Sequence, residues 1–415
     1  MKKILKNEDW LSFSTGLLIV ILAVAGIYFK SPKFDWKDSS GLIKVLSSST
    51  NLLPLLFTVI VIFFLNLFTR FLKHKSIGSI AASTLILFAI ATVSMIVSGY
   101  APVKYYGFEY VIFALILGIL IRNVFGVPKW LQDNLHTEFL IKTGLVVLGA
   151  GIIFGDIIQA GSLGLIQALI VVLAVWFFAF WISGKLKVDD EMRIMISSAV
   201  SICGVSAAIA SAGAIKGDGK KLSYVVSLVL IIALPMLIIL PLLARWLGLN
   251  PAQAGAWLGG TIDTTGAVVA SGSILGEEAL KFSTIVKFSQ NVLIGFAAVA
   301  ISLFWAFKQR TNGDNSGEKV NFRIIWERFP KFVLGFILAS LLFSFIIDAE
   351  TVSQTKGYLK GIQTAIFGVA FVGIGLETDF RALVKTGNGK PAWAYVIAQL
   401  FNIIFTLVLA WLLFA

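Results

Sequence analysis

Long apolar runs separated by short polar or charged links make up most of this chain. A bilayer-spanning helix needs about 20 predominantly apolar residues, so the pattern predicts an all-α polytopic membrane protein of about 11–13 segments. No link between the runs is long enough for a soluble domain. The predicted segments lie near residues 11–29, 52–72, 79–99, 108–124, 138–156, 162–183, 193–215, 222–247, 252–275, 281–307, 332–348, 362–378 and 391–413.

Two of these segments contain matching runs of glycine, alanine and hydroxyl residues. They read SICGVSAAIASA at 201–212 and TIDTTGAVVASG at 261–272, and they align without a gap. Inside lipid such runs let a helix break, and the freed backbone groups must then find protein, water or a solute as partners. The pair therefore predicts a solute site, and the alternative is close helix packing through small residues. Re-entrant and crossing arrangements of the two motifs both remain open.

Composition and charge restrict the class of protein further. Hydrophobic residues make up 58% of the chain and charged residues only 13%, whereas soluble domains are about a quarter charged. The formal net charge of +12 is dispersed over short loops, which argues against a nucleic-acid partner and favours the positive-inside rule. That rule predicts a cytoplasmic N-terminus and an external C-terminus. We expect 11–29 to be an uncleaved helix, because a signal core is about 7–15 residues long.

Motifs for metal, nucleotide or nucleophilic chemistry are missing from the sequence. The chain has one cysteine, Cys203, and two histidines, His74 and His136, and these do not form a cluster with metal-site spacing. Nucleotide and nucleophile-elbow motifs are also absent from their required contexts. We therefore expect no enzymatic activity, no metal and no cofactor. Any transport would be driven by an ion gradient or by the solute's own gradient.

Asp263 is the clearest ionisable residue at predicted membrane depth, where charges are costly and usually functional. Thr261, Thr264 and Thr265 flank it, and their hydroxyls can hydrogen-bond the carboxylate or help it to coordinate a cation. Alternatively, Asp263 caps the N-terminus of a half-helix. Both roles are compatible with the sequence.

Lys287 begins a second polar group, with Gln290 and Asn291 three and four residues later on the same helix face. Lys287 could pair with Asp263 and neutralise two buried charges, and breaking that pair would couple transport to H⁺ or Na⁺. Alternatively, it snorkels to the interface. Asp263, Lys287 and Asn291 are thus the predicted coupling residues.

The first motif supplies hydroxyls and backbone N–H groups at a predicted helix break, where the positive end of a half-helix attracts anions. In the last segment, Gln399 and Asn402 are expected to bond other helices. The predicted substrate-binding residues come from both motifs. They are Ser201, Cys203, Gly204, Ser206, Thr261, Asp263, Thr264, Thr265 and Gly266.

A second internal likeness relates 147–161 to 371–387, each with a GxG and a following acid. The number of predicted membrane crossings between them makes these two helices run in opposite directions, as an inverted repeat requires. A single collinear repeat cannot relate both this pair and the 201/261 pair. The two elements would follow each other in one order in the first half of the chain and in the reverse order in the second half. The sequence leaves open which likeness reflects a repeat.

Four stretches resemble the YeiH family of candidate sulfate exporters of the bacterial inner membrane. They are SICGVSAAIASAGAIKGD at 201–218, GAWLGGTIDTTGAVVASG at 255–272, IVKFSQNVLI at 285–294 and GIGLETDFRALVKTG at 373–387. The similarity starts near residue 110, which implies an extension of about three helices over 1–105 and a transporter domain over 106–415. It also implies the inverted-repeat fold of bile-acid and sodium–proton antiporter-like carriers, and it allows for a homodimer.

The chain departs from the family at two places. Ile262, Asp263 and Gly266 stand where the family usually has His, an acid and Gln, and 287–290 reads KFSQ where it often has K-x-T-R. The resemblance implies a multi-pass secondary transporter that exports a small sulfate-like or sulfonate-like anion by alternating access. Because the missing His and Arg would suit a divalent oxyanion, the alternative is a Na⁺ or K⁺/H⁺ exchanger that uses an Asp263–Lys287 pair.

Overall fold

The computed structural model describes residues 7–69, 76–105, 108–152, 154–311, 326, 329–379 and 389–415. The chain divides into two compact units, Met1–Asp156 with Lys331–Phe380 and Ile157–Pro330 with Arg381–Ala415. The described residues are mainly helical, and three short π-helical stretches, π1 to π3, adjoin α-helices. In chain order the helices are α1 (Glu8–Val24), α2 (Ser39–Ser47), α3 (Ser49–Phe68), α4 (Ile77–Ser98), α5 (Ala101–Tyr105), α6 (Tyr110–Leu120), π1 (Ile121–Phe125), α7 (Lys129–Gln132), α8 (Thr137–Gly149), α9 (Phe154–Lys185), α10 (Asp190–Ser198), π2 (Ala199–Cys203), α11 (Gly204–Ile215), α12 (Gly219–Trp246), α13 (Pro251–Thr261), α14 (Thr265–Leu275), α15 (Glu277–Thr311), α16 (Lys331–Leu341), π3 (Leu342–Ile346), α17 (Ala349–Glu377) and α18 (Lys390–Leu413).

Eight helical stretches in the described part of the chain are long and apolar enough to cross a membrane, with α10, π2 and α11 counted as one stretch from Asp190 to Ile215. This is fewer than the 11–13 predicted segments. The other five predicted segments correspond to the short helices α1, α6, α8 and α16 and to the interrupted pair α13–α14. Hydropathy counts apolar turns as part of a run. In predicted segment 138–156, for example, the helix ends at Gly149, and Ala150 and Gly151 donate turn hydrogen bonds to Val147 and Leu148.

Helix α8 lies at the centre of the first unit and packs against α1, α16 and α17. The hydroxyls of Thr15 on α1 and Thr143 on α8 are 3.3 Å apart in this buried contact. Next to it, the Lys142 ammonium forms ion pairs with the carboxylates of Glu8, Asp9 and Glu138. The first helix is therefore part of the packed core of this unit.

In the second unit, helices α13 and α14 pack along α15, and α13 also packs against α18. Glycines allow the close approach of α13 and α15, because a Cβ at Gly259 would collide with the carbonyl oxygen of Ser283. Trp257 on α13 is fully buried and donates its indole N–H to the Ile403 carbonyl of α18 at 2.9 Å. Helices α15 and α18 thus enclose the segment that holds the second motif.

The second internal likeness relates two stretches that the structure describes in part. Residue 153 of the 147–161 stretch and residues 380–387 of the 371–387 stretch lie outside the described residues. The predicted inverted-repeat fold therefore remains an expectation. The described part of the chain supports the coarser statement, an all-helical protein with about eight candidate membrane-spanning helices.

Candidate functional site

Both small-residue motifs interrupt their helices, as the sequence predicted. In the first, π2 ends at Cys203, which has φ −152° and ψ 68°, and α11 begins at Gly204 with φ +28°. In the second, α13 ends at Thr261, and Ile262 and Thr264 have extended backbone before α14 begins. These interruptions leave the last carbonyls of one half-helix and the first N–H groups of the next without intrahelical partners.

The two interruptions lie in contact with each other. A Cβ added to Gly204 would lie 3.1 Å from both the Cβ and the carbonyl oxygen of Asp263, and 2.5 Å from Val229 Cγ1. Because φ at Gly204 is also in the left-handed region, this position requires glycine on two grounds. The motifs therefore form one buried crossing within the second unit.

The ammonium of Lys287 joins the two interrupted helices. Its Nζ donates to the carbonyl oxygens of Ile202 and Ile262, both at 2.8 Å, and to Gln290 Oε1 at 2.9 Å. Residues 202 and 262 occupy equivalent positions in the aligned motifs. The Lys287 side chain is 1% exposed, so the alternative that it snorkels to an interface is wrong.

Gln290, one turn further along α15, makes the same kind of bridge. Its Nε2 donates to the carbonyls of Ser201 at 3.1 Å and Gly260 at 2.9 Å. Carbonyl groups at helix C-termini carry partial negative charge, and cations and N–H donors stabilise them there. Lys287 and Gln290 therefore supply hydrogen-bond donors to the last carbonyls of both half-helices, π2 and α13.

Amides from α18 cap the remaining carbonyls. Gln399 Nε2 donates to the Thr261 carbonyl at 2.9 Å, and Asn402 Nδ2 donates to the carbonyls of Val200 at 3.1 Å and Thr261 at 3.3 Å. Thr406 fixes the Asn402 side chain through a 2.8 Å hydrogen bond to its Oδ1. The prediction that Gln399 and Asn402 bond other helices is confirmed.

Asp263 is 1% exposed. Among the described residues no direct ion pair joins its carboxylate to the Lys287 ammonium, contrary to the prediction, although the two charges are near enough to attract each other. Asp263 Oδ2 accepts a 2.7 Å hydrogen bond from the Tyr395 hydroxyl, and among the described residues its Oδ1 has no hydrogen-bond partner. The three N–H groups of Lys287 are already used by neutral oxygens. Asp263 does not cap α14 either, because Thr264 does so by accepting from the Ala267 N–H at 3.3 Å.

Tyr395 is a site residue that the sequence analysis missed. It lies four residues before Gln399, and Asn402 and Thr406 continue the same face of α18. A search of the last helix for polar residues at helical spacing would have found this stripe. All four side chains are buried.

Several predicted residues contribute differently from what was expected. The Ser201 hydroxyl donates to the Ser197 carbonyl of its own helix at 2.7 Å, so this residue offers its main-chain carbonyl to the crossing. The Thr261 hydroxyl is buried and has no partner among the described residues. Cys203 is a free, buried cysteine, and its Sγ lies 4.0 Å from Thr265 Oγ1.

The N-terminal ends of α11 and α14 are the accessible part of the crossing. Ser206 in the first turn of α11 is exposed, and Thr264, Thr265 and Gly266 are partly exposed. Within the described ranges, no side chain forms a capping hydrogen bond at the start of α11. Asn291 on α15 donates to Thr265 Oγ1 at 3.2 Å, which places the predicted coupling residue next to this surface. Two positive helix ends therefore lie beside one buried carboxyl group.

Membrane-length helices and a buried crossing of two interrupted helices define an all-helical, multi-pass membrane protein. The family model described as Conserved hypothetical protein 698 matches residues 82–394 of the chain. The protein belongs to this family, which includes the UPF0324 membrane proteins and is equivalent to the YeiH family.

Bacterial relatives match most of the chain. A UPF0324 membrane protein of Rhodopirellula baltica is 39% identical over 357 residues, which cover 84% of this chain and 65% of the relative. One from Nitratidesulfovibrio vulgaris is 37% identical over 89% of this chain and 65% of its own length. One from Clostridium tetani is 25% identical over 81% of this chain and 97% of its own length. The chain therefore spans about 65% of the first two relatives, and none of these names states a function.

Proposed function

We propose that this protein is a secondary transporter that moves a small anion of the sulfate or sulfonate type across the bacterial inner membrane by alternating access. The observation that carries the proposal is the buried crossing of two interrupted helices in the second unit. Interrupted helices that meet away from lipid are characteristic of solute sites in transporters. Transport would require neither a cofactor nor an enzymatic step.

The accessible ends of α11 and α14 favour an anion as the substrate. N–H groups at helix N-termini point outward and carry partial positive charge, so they bind anions. The exposed Ser206 hydroxyl and the partly exposed Thr265 lie at these two ends and can add hydrogen bonds. The buried ammonium of Lys287 contributes a positive charge to the same crossing.

The arrangement also supports the repeat architecture that the YeiH resemblance implies. Lys287 bonds carbonyls at equivalent positions of the two motifs, 202 and 262. Two similar interrupted elements around one central group are what an inverted repeat would produce. Within this proposal the N-terminus is cytoplasmic, the C-terminus is external and a homodimer is allowed.

A second candidate function is exchange of Na⁺ or K⁺ for H⁺ at Asp263. The observation that favours it is the Oδ1 atom of this buried carboxyl group, which has no hydrogen-bond partner in the part of the chain that the structure describes. In this alternative Asp263 would act without a direct ion pair to Lys287. The chain also lacks the His and Arg that its family usually has next to the crossing.

Flux measurements on purified protein in proteoliposomes test the two functions. Uptake of labelled sulfate or of an alkylsulfonate supports the first function, whereas dissipation of a pH gradient by Na⁺ or K⁺ without either anion supports the second. A Ser206→Trp variant should block anion uptake by covering the helix N-termini. Leu230→Trp, at an exposed apolar position on α12, is the matched control and should transport normally.

A further inference from the structure

We infer that a monovalent cation, either H⁺ or Na⁺, binds at the free oxygen of Asp263 together with the anion, so that the protein is a cation–anion symporter. This inference rests on the proposed anion transport. It assigns Asp263 to the coupling cation and Lys287 to a fixed positioning role.

Unpartnered oxygen atoms at the crossing are the first observation. Asp263 Oδ1, Thr261 Oγ1, Asn291 Oδ1 and Gln399 Oε1 are all buried without a hydrogen-bond partner among the described residues. Buried polar atoms are nearly always satisfied in proteins. Three of these four atoms can only accept hydrogen bonds or coordinate a cation, so an anion cannot satisfy them.

The neighbours of the Asp263 carboxyl group are the second observation. The titratable groups that face it are Tyr395 on α18 and Lys287 on α15, and Cys203 at the start of α11 lies near both of these groups. Tyr395 uses its hydroxyl on Oδ2, and Lys287 uses all three N–H groups on Ile202, Ile262 and Gln290. Lys287 attracts the Asp263 charge without contacting it, and none of these groups forms a direct ion pair with the carboxylate.

The position of the carboxyl group explains the coupling. Asp263 lies two residues before the start of α14, and its Cβ and carbonyl are close to Gly204 at the start of α11. A carboxylate at this point would repel an anion bound to the two helix ends. A cation on Oδ1 removes that charge, so each ligand strengthens the binding of the other. This reciprocity is required by linkage.

Sulfate binding with and without cations provides the test. The thermal stability of the purified protein is titrated with sulfate in sodium and in N-methylglucamine buffers, each at acid and at alkaline pH. We expect Na⁺ or acid pH to tighten sulfate binding by about 5- to 150-fold, the usual range of coupling. Sulfate affinity in the wild type that is the same under all four conditions would overturn the inference.

Substitutions test whether the cation dependence of sulfate binding comes from Asp263 or from another group. Asp263→Asn keeps an acceptor for Tyr395 but removes the charge, and it should bind sulfate equally well under all four conditions. Asp348→Asn, an exposed N-cap of α17, is the matched control and should retain the cation dependence, because Asn caps equally well. Persisting cation dependence in Asp263→Asn would refute the role of Asp263.

A second variant, Tyr395→Phe, tests the inference even if Asp263→Asn does not fold. The Tyr395 hydroxyl stabilises the ionised carboxylate, so Tyr395→Phe should let the cation bind at a lower concentration. An unchanged or higher half-saturating concentration would contradict the inference. Sulfate uptake that needs no cation would leave the transporter proposal intact and reject the symport. Absence of any sulfate or sulfonate uptake would reject the proposed function itself.

Discussion

Replacement of Lys287 by methionine tests the central contact of the crossing. Methionine fills a similar volume but has no N–H groups, so the carbonyls of Ile202 and Ile262 and the Gln290 Oε1 atom would each lose their 2.8–2.9 Å donor. An unsatisfied buried acceptor costs about 1–3 kcal/mol. Removal of the buried ammonium returns several kcal/mol of desolvation free energy. We therefore expect a net loss of about 2–4 kcal/mol in the stability of the second unit.

Thermal unfolding of the purified protein in detergent measures this loss. A destabilisation of that size should lower the unfolding temperature by roughly 5–15 °C for a unit of about 200 residues. Lys220→Met is the matched control, since Lys220 is an exposed residue at the start of α12 in the same unit. Substitutions at exposed positions usually change stability by less than about 0.5 kcal/mol, so that variant should unfold close to the wild type. Equal unfolding temperatures for the two variants would show that the ammonium does not hold the crossing together.

Two further substitutions test the crossing at other points. Gly204→Ala should cost about 2–4 kcal/mol, because its Cβ would lie 2.5 Å from Val229 Cγ1 at a φ of +28°. Gly78→Ala, a helical glycine with open space around it, should be neutral or slightly stabilising in the same thermal assay. Asn402→Leu should cost about 1–3 kcal/mol by removing the donor to the Val200 carbonyl, and an unchanged unfolding temperature would exclude this capping role.

Sequence periodicity and composition predicted the class of protein and the positions of both interruptions. An apolar run is a local property, and the cost of placing backbone or charge in lipid constrains it strongly. The same reasoning did not predict helix lengths, and only eight of the thirteen predicted segments correspond to candidate spans of 18 residues or more, because hydropathy cannot distinguish an apolar turn such as 149–151 from an apolar helix. Helix length depends on where the backbone hydrogen bonds stop.

The sequence by itself indicated that the helices break at 201–212 and 261–272, since glycine and hydroxyl residues have local conformational preferences. Only the tertiary structure decided which side chains satisfy the exposed carbonyls. Lys287 and Asp263 were expected to form a direct ion pair, yet the ammonium donates to carbonyls at two helix ends and the carboxylate accepts from the Tyr395 hydroxyl. The physical reason is that the hydrogen-bond partners at the crossing are side chains of α15 and α18, which are separate helices. The tertiary packing of these helices decides which side chains reach the crossing.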